Sequence, residues 1–197
     1  KIPVATFSED LKDTGSFLVD FSGDGITDVL HSVLKADNTL KRAAYVNCKF
    51  EDSRCKGAIK PDSYWVEVTA STPDLVDYVP PVAFAQEGVG SLGVRPIDIN
   101  GDGLTDLVVA RDDYDQQTKE PIRAVYLNTG KGWSKDSLSK LHLPVSFVRP
   151  AGESGQNGPL IDNRIELIDL DGDRLPDVLY HSLVRVFEPL TDEERKR

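Results

Sequence analysis

The sequence predicts an all-β fold assembled from repeated units of four antiparallel strands. Three observations predict it. An acidic, glycine-containing nonapeptide is written three times, as Asp20 to Asp28 (DFSGDGITD), Asp98 to Asp106 (DINGDGLTD) and Asp169 to Asp177 (DLDGDRLPD). A short apolar run enters each copy and another leaves it. The lead-in recurs as well: Pro3-Val4-Ala5 aligns with Pro81-Val82-Ala83 at an offset of 78, the same offset that separates Asp20 from Asp98. Self-similarity at a fixed period marks a repeat architecture.

The alignment is ungapped between those anchors and brings Glu9 onto Glu87 and Gly15 onto Gly93. A third start, Pro144-Val145-Ser146-Phe147, reaches Asp169 after 25 residues instead of 17, and the extra length falls in the Gly-rich stretch from Gly152 to Gly158. The expected units are residues 3–80, 81–143 and a partial 144–190, with 191–197 as a charged helix start or tail.

The first strand of each unit enters the acidic loop: Phe17 to Val19, Arg95 to Ile97 and Ile165 to Ile168. The second leaves it: Val29 to Val33, Leu107 to Ala110 and Val178 to His181. These runs are short, rich in β-branched residues and nearly continuous in apolar character, as buried strands are. Polar turns are expected at Lys35 to Thr39 and Asp112 to Glu120, leading to third strands at Ala43 to Val46 and Ala124 to Leu127. Fourth strands follow at Tyr64 to Val68, which alternates, and at Trp133 after the turn Asn128 to Gly132. The last unit offers Val184 to Phe187 as its third strand, then the capping-box pattern Thr191 to Glu194.

Four antiparallel strands repeated in this way imply the blades of a β-propeller, where each sheet is buried against its neighbours. A closed propeller takes about four to eight blades. The chain is therefore expected to be an incomplete propeller segment.

Within each acidic loop, oxygen-bearing side chains occupy positions 1, 3, 5 and 9. A hard cation such as Ca²⁺ takes six to eight oxygens, and a tightly wound loop delivers them from alternate residues. The expected ligands are Asp20, Ser22, Asp24 and Asp28 with the carbonyl of Ile26; Asp98, Asn100, Asp102 and Asp106 with that of Leu104; and Asp169, Asp171, Asp173 and Asp177 with that of Leu175. Up to three Ca²⁺ ions follow. The third loop carries four carboxylates and the others three, but Arg174 stands where the others have glycine, and Ser22 is the weakest donor at position 3. The second copy is the best of the three. An EF-hand is excluded, because position 12 is His31, Val109 or Tyr180 rather than glutamate, and a strand follows instead of a helix. Ordinary Asp/Asn/Gly turns are the alternative, and three copies with one spacing weigh against it.

The net charge of −10 and a pI near 4.8 argue against a nucleic-acid partner, whose phosphates demand a basic face. Ten aspartates of the three loops supply much of that acidity. No run approaches the roughly 18 apolar residues of a membrane span, so direct membrane insertion is not expected. No signal peptide is legible at Lys1-Ile2-Pro3, which reads as the edge of a processed protein or fragment. Cys48 and Cys55, flanking Lys49 to Arg54, suit a disulfide across a loop and hence an oxidising compartment, with two unpaired thiols as the alternative.

The DxxGDGxxD loop followed by an apolar strand resembles the FG-GAP/VCBS repeat of the integrin α-subunit propeller and of many secreted propellers. The resemblance covers nearly the whole chain. The lead-in Leu92 to Arg95 and the turn Leu127 to Trp133 are also similar to propeller segments of the Rhs/toxin-complex group. The resemblance implies a structural Ca²⁺ between the first two strands of each blade, with Ser22 and Arg174 as departures.

No Ser-His-Asp arrangement, HExxH or phosphate-binding loop occurs, and carboxylates committed to Ca²⁺ are poor general acids. His31, His142 and His181 read as strand or linker residues, and Trp65 and Trp133 as packing. The expected function is a non-catalytic, extracellular or cell-surface module used in adhesion, assembly or ligand display, with a protein partner or other propeller segments. The alternative is a propeller appended to a secreted enzyme or toxin-complex protein.

Overall fold

A computed structural model of the protein describes residues 14–48, 64–69, 72–114, 121–136, 145–150 and 160–180. They form an all-β molecule of three sheets. The expectations placed on Pro3 to Glu9, Cys55, His142, Gly152 to Gly158, His181, Val184 to Phe187 and Thr191 to Glu194 lie outside the described residues.

In the first sheet, β1 (Ser16–Val19), β2 (Asp28–Leu34), β3 (Leu40–Asn47) and β4 (Trp65–Glu67) pair antiparallel in sequence order. A short 3₁₀ turn, Pro73–Tyr78, follows. The small hairpin of β5 (Ala85–Gln86) and β6 (Gly90–Ser91) comes next. The second sheet repeats the meander with β7 (Val94–Ile97), β8 (Asp106–Tyr114), β9 (Pro121–Asn128) and β10 (Trp133–Asp136). A second small hairpin, β11 (Val148–Pro150) and β12 (Leu160–Asp162), precedes β13 (Ile165–Ile168) and β14 (Asp177–Tyr180), which pair as the third sheet.

Two expectations are corrected. The sheets are mixed rather than purely antiparallel, because each lead-in forms a strand parallel to the second strand of the preceding unit: β5 beside β2, and β11 beside β8. The edge of β2 is shared. β1 covers its first half, and Phe84 N–H donates to Ser32 O at 2.9 Å farther along. Phe147 N–H and Ala110 O, at 2.8 Å, repeat the contact on β8. The second correction concerns Asp112 to Glu120, expected to be a turn. β8 runs on to Tyr114 with a register irregularity after Arg111, and the Arg123 guanidinium fastens this extension through Arg111 O (2.7 Å) and Asp112 Oδ1 (3.3 Å). Residues 115–120 are outside the described set.

The sheets stack face to face because strand side chains alternate. Leu30, Ala44 and Val46 of the first sheet meet Val94, Leu107 and Val109 of the second, with Phe21, Leu75 and Tyr78 filling the seam. Val108, Ala110 and Val125 point the other way and pack against Ile165, with Leu167 and Val178 beside it. The middle sheet is thus buried on both faces. Trp133 Nε1 donates to Tyr78 O at 2.9 Å, pinning the 3₁₀ turn to the second sheet. Cys48 is disulfide-bonded.

Candidate metal centre

Each acidic nonapeptide closes the first hairpin of its sheet, between the cross-strand pairs Val19 and Asp28, Ile97 and Asp106, and Ile168 and Asp177. The loops share one hydrogen-bonding frame. The first-position carboxylate turns inward and accepts backbone N–H groups on both oxygens. Asp20 takes those of Gly23 and Gly25, each at 2.7 Å. Asp98 takes those of Gly101 and Gly103 at 2.8 Å. Asp169 takes those of Gly172 (2.7 Å) and Arg174 (3.0 Å). The fifth-position carboxylates Asp24, Asp102 and Asp173 accept the N–H of Ile26, Leu104 and Leu175, each at 2.8 Å.

This winding requires left-handed backbone at positions 4 and 6. Gly101 and Gly103 adopt φ of 75° and 86°, and Gly23 and Gly25 adopt 76° and 82°. Arg174 is held at φ 73°, a conformation that carries a Cβ penalty.

The ninth-position carboxylates sit deepest. Asp28 and Asp106 have no exposed surface. Asp28 accepts Ser22 N–H (3.1 Å) and, across the sheet, Asn47 N–H (2.9 Å). Asp106 accepts Ile99 N–H (3.1 Å) and Asn128 N–H (2.7 Å). Asp177, only partly buried, accepts Leu170 N–H at 2.9 Å. Burial pushes Asp28 up to about 7 against the opposing pull of the Asn47 and Ser22 hydrogen bonds, with Asp24 adding repulsion. Burial likewise lifts Asp106 to about 6, against the Asn128 and Ile99 hydrogen bonds and with Asp102 and Asp98 adding repulsion. A divalent cation beside either carboxylate would favour its ionised form.

At position 3 the residues differ. Ser22 is buried with its Oγ 3.4 Å from Asp20 Oδ1. Asn100 is exposed and exchanges hydrogen bonds with Asp102 at 3.0 and 3.1 Å. Asp171 completes an acidic triad with Asp169 and Asp177, whose carboxylate oxygens all lie within 4.8 Å of one another. Asp173 is outside that triad. Positions 1, 3 and 9 therefore converge in the third loop, and an all-oxygen donor set of this kind fits a hard cation.

Neighbouring loops touch. A Cβ on Gly23 would lie 2.9 Å from Leu104 Cδ2, and one on Gly101 would lie 3.3 Å from Leu175 Cδ2. The position-7 leucine of each loop thus covers the position-4 glycine of the loop before it. Sequence reasoning assigned a role only to the carbonyls of these residues. It also missed Asn47 and Asn128, the third-strand residues that anchor the buried carboxylates. The signal was present in the paired strings Tyr45-Val46-Asn47 and Tyr126-Leu127-Asn128. Compared with known proteins, the chain matches no family model, and neither a curated protein nor a solved structure matches it.

Proposed function

We propose that the chain is a calcium-binding, non-catalytic β-propeller segment of the FG-GAP/VCBS kind, serving adhesion, assembly or ligand display in an extracellular or surface protein. The observation that carries this reading is the convergence of Asp169, Asp171 and Asp177 in a loop whose hydrogen-bonding frame recurs in the other two. Asp20, Ser22 and Asp28, and Asp98, Asn100 and Asp106, hold the same places in their loops. These residues would hold the ions, with Asp24, Asp102, Asp173 and the carbonyls of Ile26, Leu104 and Leu175 completing the expected sets. Bound Ca²⁺ supplies the positive charge that fixes each loop between its two strands. The protein's own contribution is the wound backbone that holds the carboxylates in place beforehand. A partner would then meet a rigid rim of loops.

The test is a melting experiment with CaCl₂, with MgCl₂ and with chelator. One site saturated at a hundredfold excess over Kd adds about 2.7 kcal/mol. For a chain of this size that raises Tm by roughly 5–10 °C. Calcium should raise Tm and magnesium raise it less, because Mg²⁺ sheds its waters reluctantly. A melt unchanged by chelator and by either ion would return the loops to ordinary turns.

A further inference from the structure

Asn128 joins two of the acidic loops through one continuous run of buried hydrogen bonds. Its backbone N–H donates to Oδ1 of Asp106, the ninth residue of the second loop, at 2.7 Å. Its side-chain Nδ2 donates to Phe21 O, in the first loop, at 2.7 Å. The same Phe21–Ser22 peptide then presents its N–H to Oδ2 of Asp28, the ninth residue of the first loop, at 3.1 Å. Asn128 is 2% exposed, and its Oδ1 is committed to Gly130 N–H at 2.9 Å. The amide is therefore held from both ends and cannot rotate freely. Leu104 adds an apolar contact between the same two loops, over Gly23.

We propose that Asn128 is a positioning residue that couples cation binding in the first two loops, so that filling one prepares the other. The inference rests on the calcium reading of the loops. Binding at the second loop fixes Asp106, which fixes Asn128 through its backbone. Asn128 then holds the Phe21–Ser22 peptide, whose N–H orients Asp28. Linkage makes the effect reciprocal. For the third loop the link to its predecessor among the described residues is the contact of Leu175 with Gly101 and the backbone of Arg174 near it. The proposal is therefore confined to the first two loops.

The test is calorimetric titration with CaCl₂ in an Asp169→Ala background, which silences the third loop. Adding Asp98→Ala isolates the first loop, and adding Asp20→Ala isolates the second. If the loops are coupled, the two-loop protein binds its calcium more tightly than the two isolated constants predict, by a factor of about 5–150. With Asn128→Ala added to the two-loop protein and to both single-loop variants, the isolated constants should reproduce the two-loop titration. Two-loop binding that already equals the sum of its parts would overturn the coupling, whether or not Asn128→Ala folds. Coupling that survives Asn128→Ala intact would overturn the role of Asn128. Absence of calcium uptake by the unmodified chain would instead remove the calcium reading beneath both.

Discussion

Asp106 and His31 are both strand residues beside an acidic loop, and they answer to different physics. The Asp106 carboxylate accepts two backbone N–H groups, from Ile99 and Asn128, in a site without exposed surface. Asp106→Ala leaves those donors without their acceptor, which costs about 1–3 kcal/mol, and on the proposed calcium reading it would also remove a ligand. It should therefore lower Tm in CaCl₂ well beyond His31→Ala, and equal small losses would speak against the metal role. His31 is half-buried, with Nδ1 2.9 Å from Ser16 Oγ. Burial, then Lys35 and Lys41, hold its pKa below 6.5. Between that lowered value and 6.5 the unfolded chain binds the extra proton. The histidine's contribution is thus complete above 6.5 and is lost as pH falls through the folded pKa. Urea denaturation at pH 7.5 and 5.5 should show a smaller acid loss for His31→Gln than for the parent, and identical losses would refute this. The carboxylate pattern was legible in sequence because the 1-3-5-9 spacing recurs. The anchoring Asn128 was not, because its partners lie 22 and 107 residues away.

The strand meanders were equally legible, since apolar runs flank each loop. The lead-in strands β5 and β11 were not, because they are short and their pairing is with another unit's β2 or β8. Gly15 and Gly93 mark the crossing. At Gly93, φ is 66° and an added Cβ would lie 2.8 Å from Ala110 O and Val148 Cγ2. At Gly103, φ is 86° but no atom lies within 4 Å of the Cβ position. Gly103→Ala should cost about 1–2 kcal/mol from backbone strain alone. Gly93→Ala should cost clearly more, because a strand and its parallel neighbour must also part. Urea denaturation distinguishes them, and equal costs would mean that β11 does not pack on β8 as described. Arg174 supplies the converse case. Relieving its left-handed φ of 73° with Arg174→Gly should stabilise the chain by about 1–2 kcal/mol, read by urea denaturation without calcium, and an unchanged midpoint would mean that the strain is not carried there.

The repeated sheets put equivalent residues in unequal surroundings. Leu30, Val108 and Leu179 each lie two residues beyond the ninth carboxylate of their loop. Leu30 and Val108 are fully buried because the next sheet covers them. Leu179 is 38% exposed, and Ile168 and Leu170 beside it are 48% and 61% exposed. One sequence position therefore reads as core twice and as surface once, and local pattern cannot tell these apart, since among the described residues a following sheet covers only the first two. Leu30→Ala should cost about 2–5 kcal/mol, the range for a buried leucine that leaves a cavity. Leu179→Ala should stay within about 0.5 kcal/mol, as surface substitutions do. Both are measured by urea denaturation of the whole chain under one calcium concentration. A Leu179→Ala cost approaching that of Leu30→Ala would mean that the outer face of the third sheet is covered in solution as the two preceding faces are. That result would make the stack continue beyond the described residues.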